Sequence, residues 1–494
     1  MDWLSVLPAL VALAVAFYLW SRTSRPKNFP PGPQVVPFVG NILSLGRTPH
    51  LTIARWKAQY GDVLSVYDGR KPMVILSDFH TVKKVFADEA VTGRDDQSSI
   101  VIDASTQKDY GLVFSQGELW KVHRRFALST LRDLGMGKNW MEDAIVYEVE
   151  EICRFLKQTN QKPTNPKVQL TNSISNVICA LIFGRRFSLT DPKFSRLTSL
   201  IVESLEGFGW DSAAQAFPIL LWFPNPVRRR ILKARANIRT MTAFFQEQVD
   251  DHAGVDKQEG VQDYLFAYQA EKEKQEGTNQ SKKSLFDDPQ LLASLSDLFG
   301  AGTETTSTTT LWAFIFMVEN PEVMRKVQEE IDGAVGRDKV LRNSDRALLP
   351  YTEAVILEVQ RCASLVPLGI PHRTNQDITV DGYTLPRGTL VIANLFSIHN
   401  DPRYWKNPEQ FDPMRFLDAD RKLIRPDGFA PFSIGKRACL GEALAKMELF
   451  LFIANLLRCF TLKVPPGHIV SRENYATSIV LSPTPFELIF VPRT

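Results

Sequence analysis

Apolar residues recur at helical spacing along most of the chain. The pattern predicts helices over 50–60, 80–88, 117–133, 139–158, 170–184, 194–206, 227–252, 288–319, 321–334, 351–363 and 441–459. Two-residue alternation is confined to two places. "VLSVYDGRKPMVILS" reads as strands about a turn at Asp68-Gly69, and "ITVDGYTLPRGTLVIAN" as strands about a hairpin turn at Asp381-Gly382. The predicted class is mainly α with a small β region. The charged run from Glu271 to Lys283 is expected as a solvated surface loop. From Trp3 to Trp20 no charge interrupts an apolar run just long enough to span a bilayer, and Arg22, Arg25 and Lys27 follow it. The positive-inside rule then puts the remainder in the cytosol. Residues 1–21 are thus expected as a transmembrane anchor, 22–33 as a basic hinge ending in Pro30-Pro31-Gly32-Pro33, and 34–494 as one large domain. A second apolar stretch, "FPILLWFP" from Phe217 to Pro224, precedes Arg228, Arg229 and Arg230 and reads either as a surface-dipping loop or as buried core.

Inside the helix predicted over 288–319 lies "DLFGAGTETTSTTT", Asp297 to Thr310, made largely of poor helix formers. Its hydroxyl residues and two glycines forgo about 5 kcal/mol of helix propensity relative to alanine. A tertiary contact must outweigh that. Small residues that admit a neighbouring helix, with hydroxyls bonded to i−4 carbonyls, would suffice. So would a planar ligand lying against the glycine, with Glu304 and Thr305 aimed at it.

Composition narrows the classes. The 494 residues show no internal repeat or long flexible linker. Fifty-eight Lys and Arg against 55 Asp and Glu leave no electrostatic footprint for nucleic acid. Cys153, Cys179, Cys362, Cys439 and Cys459 are odd in number and form no CxxC pair, so a reducing compartment fits. Scattered histidines argue against a zinc or di-iron site, and no nucleotide-binding glycine motif is present.

The decisive stretch is "PFSIGKRACLGEALAKMELFLFIANLL" from Pro431. Cys439 stands immediately before a strongly periodic helix, whose free N–H groups favour a thiolate. Phe432, Gly435, Arg437, Cys439 and Gly441 describe a loop that bends at one glycine, presents sulfur and admits a flat group over the other. This spacing resembles the cysteine-ligand loop of the cytochrome P-450 superfamily, F-x-x-G-x-R-x-C-x-G, at every position. Glu358 and Arg361 resemble the family's E-x-x-R, and Arg415 in "FDPMRF" its partner arginine; Met414 stands where many members carry Glu. "AGTET" resembles the oxygen-binding helix motif, and Trp120 with Arg124 the W-x-x-x-R motif. "WKVHRRFALSTLRDLGMGK" and "VPLGIPHRT" look most like the animal microsomal family 2.

The resemblance implies a cytochrome P-450 fold as a single catalytic domain behind the anchor, in the endoplasmic-reticulum membrane, with haem b held by Cys439. It implies Ala301 and Gly302 passing over the opposite haem face, Thr305 as the hydroxyl that relays protons, and Glu304 connecting it to solvent. Propionate donors would be Trp120, Arg124, His372 and Arg437, with Lys108 where relatives commonly place an arginine. Phe114, Ala301, Val366, Ile370 and Ile479 would line the substrate pocket. Glu358, Arg361 and Arg415 would brace the core. Electrons would come from an NADPH-cytochrome P-450 reductase, with cytochrome b5 as a further donor. Lys121, Arg125 and Arg132 share a helix face as a docking stripe or as plain solvated surface. The implied activity is insertion of one oxygen atom from O2 into an apolar small molecule: a steroid, fatty acid or xenobiotic. Two other readings stand beside it: a haem-thiolate enzyme that rearranges or dehydrates an oxygenated lipid without a reductase, and a haem-based sensor or carrier.

Overall fold

The carboxylate of Asp287 accepts the Gln290 N–H at 2.9 Å, and Pro289 sits in the first turn, where its missing N–H costs nothing. From there one helix runs unbroken from Asp288 to Glu319. It ends at Asn320, whose side chain bonds the Phe316 carbonyl and whose successor, Pro321, starts the next helix. The computed structural model describes residues 25–493 apart from 37–38, 70, 96–109, 135–138, 253–262 and 279–284, together with residue 8 and residues 10–15.

Numbered along the chain, the principal helices are α1 (Pro49–Tyr60), α2 (Phe79–Phe86), α3 (Gly117–Asp133), α4 (Asn139–Gln158), α5 (Lys167–Phe183) and α6 (Pro192–Ala216). They continue as α7 (Pro226–His252), α8 (Tyr264–Thr278), α9 (Asp288–Glu319), α10 (Pro321–Ala334), α11 (Pro350–Ala363) and α12 (Glu442–Cys459). The strands are short: β1 (Val63–Asp68), β2 (Lys71–Leu76), β3 (His372–Arg373), β4 (Ile378–Val380), β5 (Tyr383–Leu385) and β6 (Leu390–Ala393). After α12 come β7 (Phe460–Lys463), β8 (Tyr475–Thr477), β9 (Leu481–Pro483) and β10 (Ile489–Pro492). One four-stranded sheet has the order β1-β2-β6-β3, with β2 and β6 parallel in the register Val74 to Val391. The other strands pair in twos. At the β4–β5 turn Asp381 and Gly382 take φ of 48° and 83°, the left-handed pair that a tight hairpin requires.

The main core joins α4, α5, α9 and α12, which bury Ile152, Ile178, Phe299 and Phe450 in one cluster. Gly302 serves this packing, because a Cβ there would lie 2.5 Å from Ile178 Cδ1 and 2.8 Å from Cγ1. Ser307, Thr309 and Thr310 bond back to the carbonyls four residues earlier. The close-approach explanation of the unusual stretch therefore holds for part of it.

The structure departs from expectation over 271–283. Residues through Thr278 are helical, because wholly buried Tyr264, Leu265 and Tyr268 anchor α8 and its charged half continues outward. Phe217–Pro224 lies at the surface, with Trp222 80% exposed beside a 3₁₀ turn at Pro218–Leu221. Among the described residues no helix is long and apolar enough to cross a membrane. Most of 1–21, where the anchor is expected, falls outside the described residues, as does Lys108.

Candidate active site

Gly435 takes φ +85°, and a Cβ on it would sit 2.2 Å from the Phe86 carbonyl oxygen, so the loop can bend against the end of α2 only with glycine there. The Lys436 N–H then donates to Phe86 O at 3.0 Å and the Cys439 N–H to Phe432 O at 2.9 Å. This fold-back presents the sulfur of Cys439 just before α12 begins. Burial pushes its thiol up, while an N–H bond from Gly441 and the charge of Arg124 pull it down. The sulfur of this exposed cysteine opens into a cavity of about 310 Å³. Gly441 also faces that cavity, with no atom within 4 Å of where its Cβ would be.

Across the cavity runs α9, placing Ala301 and Thr305 on its wall. Thr305 Oγ1 donates to the Ala301 carbonyl at 2.7 Å. Glu304 points elsewhere: it is 2% exposed, accepts from Thr308 at 3.0 Å and Ser482 at 3.4 Å, and is raised by burial. The expected link from Glu304 to solvent is thus absent from this conformation, because one residue along a helix is a turn of about 100° and faces the core. Sequence reasoning missed a second carboxyl. Glu448 of α12 accepts from Thr306 at 3.1 Å, lines the cavity and is pushed up to about 8 by burial.

Below the cavity, the side-chain hydrogen bonds that Arg94, Arg124 and Arg437 make among the described residues all go to backbone carbonyls. Arg124 donates to Ala438 O at 2.6 Å. Arg437 donates to Thr92 O at 3.0 Å and Ser115 O at 2.6 Å, with its guanidinium 3.9 Å from the Trp120 ring. Arg94, which the sequence did not single out, donates to Val113 O and to Pro371 O at 3.1 and 3.0 Å. Burial and mutual repulsion pull Arg437 down to about 8 and Arg94 to about 9; no carboxylate among the described residues offsets them. Trp120 Nε1 is buried and has no partner among the described residues. His372 stacks on Phe86 at 3.8 Å and commits Nδ1 to Val91 O at 2.8 Å, so Nε2 donates only in the imidazolium form. Three cations and an orphan indole N–H lack an anion, and haem propionates fit that deficit as the thiol fits iron.

Behind this floor Glu358 takes Arg361 in a two-bond fork at 2.7 and 2.8 Å and Arg415 at 3.0 Å. Both Glu358 and Arg361 are fully buried. Met414 is 48% exposed and outside the group, so its difference from Glu does not touch the network.

Of the expected pocket residues, Ala301, Val366 and Ile370 line the cavity; Phe114 and Ile479 do not. Ile479 sits in the β8–β9 turn. At the other wall Leu112 and Val113 take the lining positions, since their N–H groups are tied to Asp297 Oδ2 at 2.6 and 2.9 Å. Burial pushes the Asp297 carboxyl up to about 6 against those two bonds. An acid raised by folding stabilises most when protonated, so stability falls as pH rises from about 4 to about 6. In urea titrations Asp297→Asn is expected to remove that slope, and Asp297→Ala to cost about 1–3 kcal/mol by orphaning two amides.

A cavity floored by a thiol just ahead of a helix and by uncompensated guanidiniums, and roofed by a hydroxyl-bearing helix, defines a haem-thiolate protein. Residues 30–490 match the family model described as cytochrome P450. Cytochrome P450 2C3 of Oryctolagus cuniculus is 39% identical over all of both chains. Cytochrome P450 18a1 of Drosophila melanogaster is 36% identical over 99% of this chain and 92% of its own. For cytochrome P450 2U1 of Mus musculus the figures are 35%, 98% and 94%. The chain belongs to the cytochrome P450 family. It is a haem b monooxygenase acting on hydrophobic substrates.

Proposed function

We propose that this monooxygenase draws electrons from NADPH through a separate reductase, with cytochrome b5 as a second donor, and hydroxylates or epoxidises a steroid, fatty acid or xenobiotic. It works from the endoplasmic-reticulum membrane on an anchor formed by residues 1–21. The observation that carries the reading is the apolar cavity walled by Ala301, Val366 and Ile370 directly above the sulfur of Cys439. When bound, haem b supplies the oxygen activation, and electron donation by its thiolate ligand favours O–O cleavage.

The chain's own residues do the rest. Cys439 would hold the cofactor, and Arg94, Arg124, Arg437 and the Trp120 N–H would meet its carboxylates; His372, held well below its ordinary value by burial and by Arg94 and Arg437, stays neutral beside them. Apolar walls exclude water and select by shape. Thr305 keeps its proton on the Ala301 carbonyl, and rotation about χ1 offers that proton to the cavity. Glu304, whose carboxyl burial pushes up, refills Thr305 only after turning away from Thr308 and Ser482. Glu358, Arg361 and Arg415 support the floor. The exposed side chains of Ile219, Trp222 and Phe223, followed by Arg228 and Arg229, suit a second membrane contact.

Reductase docking falls on the face of α3 that carries exposed Lys121, Arg125 and Arg132; Lys436 of the cysteine loop joins Lys121 on Glu89. Reconstituted with reductase, NADPH and isotopically heavy dioxygen, the enzyme is expected to place one heavy oxygen atom in an apolar product. Reversing Lys121, Arg125 and Arg132 to Glu should slow reduction about tenfold or more at low salt and flatten its salt dependence. Unchanged reduction would remove the docking assignment. Turnover of a lipid hydroperoxide without NADPH, and none with it, would favour the rearranging enzyme instead.

A further inference from the structure

The helices α5 and α7 end at Phe183 and His252, and with the first turn of α8 they border a second cavity, of about 210 Å³. Among the described residues, none that lines it also lines the cavity above Cys439. Phe183 and Phe266 give it apolar surface, and Gly184, with φ 64°, ends α5 there by closing its N–H on Ala180 O at 3.1 Å. Gln248 is 4% exposed, and its buried Oε1 accepts no hydrogen bond among the described residues. An amide oxygen hidden from water without a donor is unfavourable, so an occupant that donates to it is favoured. Rotation about the soft χ3 offers that oxygen to the cavity.

Charge selects the occupant's sign. Each basic side chain at the cavity already faces a carboxylate: Arg185 Nη1 lies 3.4 Å from Asp251 Oδ2, and His252 Nε2 lies 3.0 Å from Asp263 Oδ2. Asp263 is held at its other oxygen too, which caps α8 by accepting the Phe266 N–H at 2.9 Å. What these pairs leave over is negative, because two helices present their C-terminal ends here, where a cation is favoured. Asp251 is exposed and its pair with Arg185 is long, so it can turn to an incoming cation. We propose that this cavity binds a small organic ammonium ion, which donates one N–H to Gln248 Oε1, shares Asp251 with Arg185 and rests its apolar body on Phe183 and Phe266. The two rings add their own attraction for a cation. The His252 ring, 4.1 Å from that of Phe266, keeps this wall in place. An anion would meet two helix C-termini and find both basic groups engaged. The volume lies below the roughly 300–1,000 Å³ of drug-sized ligand sites, so the body is a single ring or a short chain.

The test uses the full-length, haem-loaded protein with clotrimazole saturating the haem cavity, so that an amine has no access to the iron. Para-fluorophenethylamine is titrated in and followed by fluorine NMR. Saturable binding is expected, with a dissociation constant of about 1 mM or tighter. The neutral isostere para-fluorophenethyl alcohol should bind about tenfold more weakly, and para-fluorophenylacetate should not bind. Gln248→Leu, which removes the acceptor and keeps the bulk, should weaken the amine about tenfold, and Asp251→Asn about threefold or more. The proposal is overturned if the amine shows no saturable binding, if either isostere binds as tightly, or if Gln248→Leu binds the amine as the wild type does. Should Gln248→Leu fail to fold, Asp251→Asn at the exposed side of the cavity decides, and an unchanged affinity there overturns the proposal.

Discussion

Cys439→Ser is expected to abolish the strongly red-shifted Soret band of the reduced, carbon-monoxide-bound protein and to bring monooxygenase turnover to background. The serine oxygen keeps the place of the sulfur, and the fold-back made by Cys439 N–H on Phe432 O and Lys436 N–H on Phe86 O is untouched. What disappears is a sulfur ligand that, as thiolate, donates electron density. The Arg94, Arg124 and Arg437 cluster still meets the propionates, so some haem can remain, and haem content is measured beside the spectrum. A red-shifted band that survives in the mutant would mean that another sulfur ligates the iron, and the site built around Cys439 would fall.

Glu358→Ala is expected to be the most destabilising single change outside the cofactor's own contacts. It leaves Arg361 fully buried without a counter-charge, strips Arg415 of its carboxylate and orphans the Asp412 N–H that Glu358 holds at 2.9 Å. Removing one partner of such a group costs about 3–5 kcal/mol. Arg361→Lys keeps the charge but not the fork, nor the donation to His399 O at 2.8 Å, and should cost less. Denaturant unfolding followed by Soret absorbance and by fluorescence checks both. Equal midpoints for wild type and Glu358→Ala would show that the group contributes nothing to the fold.

The long helices were legible because a wide apolar stripe repeats over several turns, as in α4, α9 and α12. Strands β3 and β7 to β10 were not, since, unlike the equally short β4 to β6, they are not gathered in one alternating run about an Asp-Gly turn. The helix α8 was half visible: its buried turn at Tyr264 to Tyr268 determines its position, whereas its charged turns resemble any solvated segment. At the site, the cysteine loop announced itself by fixed spacing. Arg94 and Glu448 did not, because a single charged residue gains meaning only from what packs around it. Asp297 was part of the conspicuous stretch, yet its task of holding the Leu112 and Val113 amides joins segments 185 and 184 residues apart, beyond any local pattern. The glycines and hydroxyls of that stretch divide between the two explanations the sequence left open. Gly302 meets a helix, Ala301 and Thr305 face a cavity, and Thr306 and Thr308 serve buried carboxyls.

The guanidiniums beneath the cavity also bear on how much of this protein a cell can maintain. Arg94, Arg124 and Arg437 repel one another, and among the described residues backbone oxygens and the Trp120 ring hold them in place, with no carboxylate. A doubly anionic cofactor that binds the folded chain alone lowers its free energy by mass action, by about 4 kcal/mol at a thousand times the dissociation constant. Newly made chains therefore depend on the supply of haem to escape proteolysis, and abundance should track porphyrin synthesis even where transcription is constant.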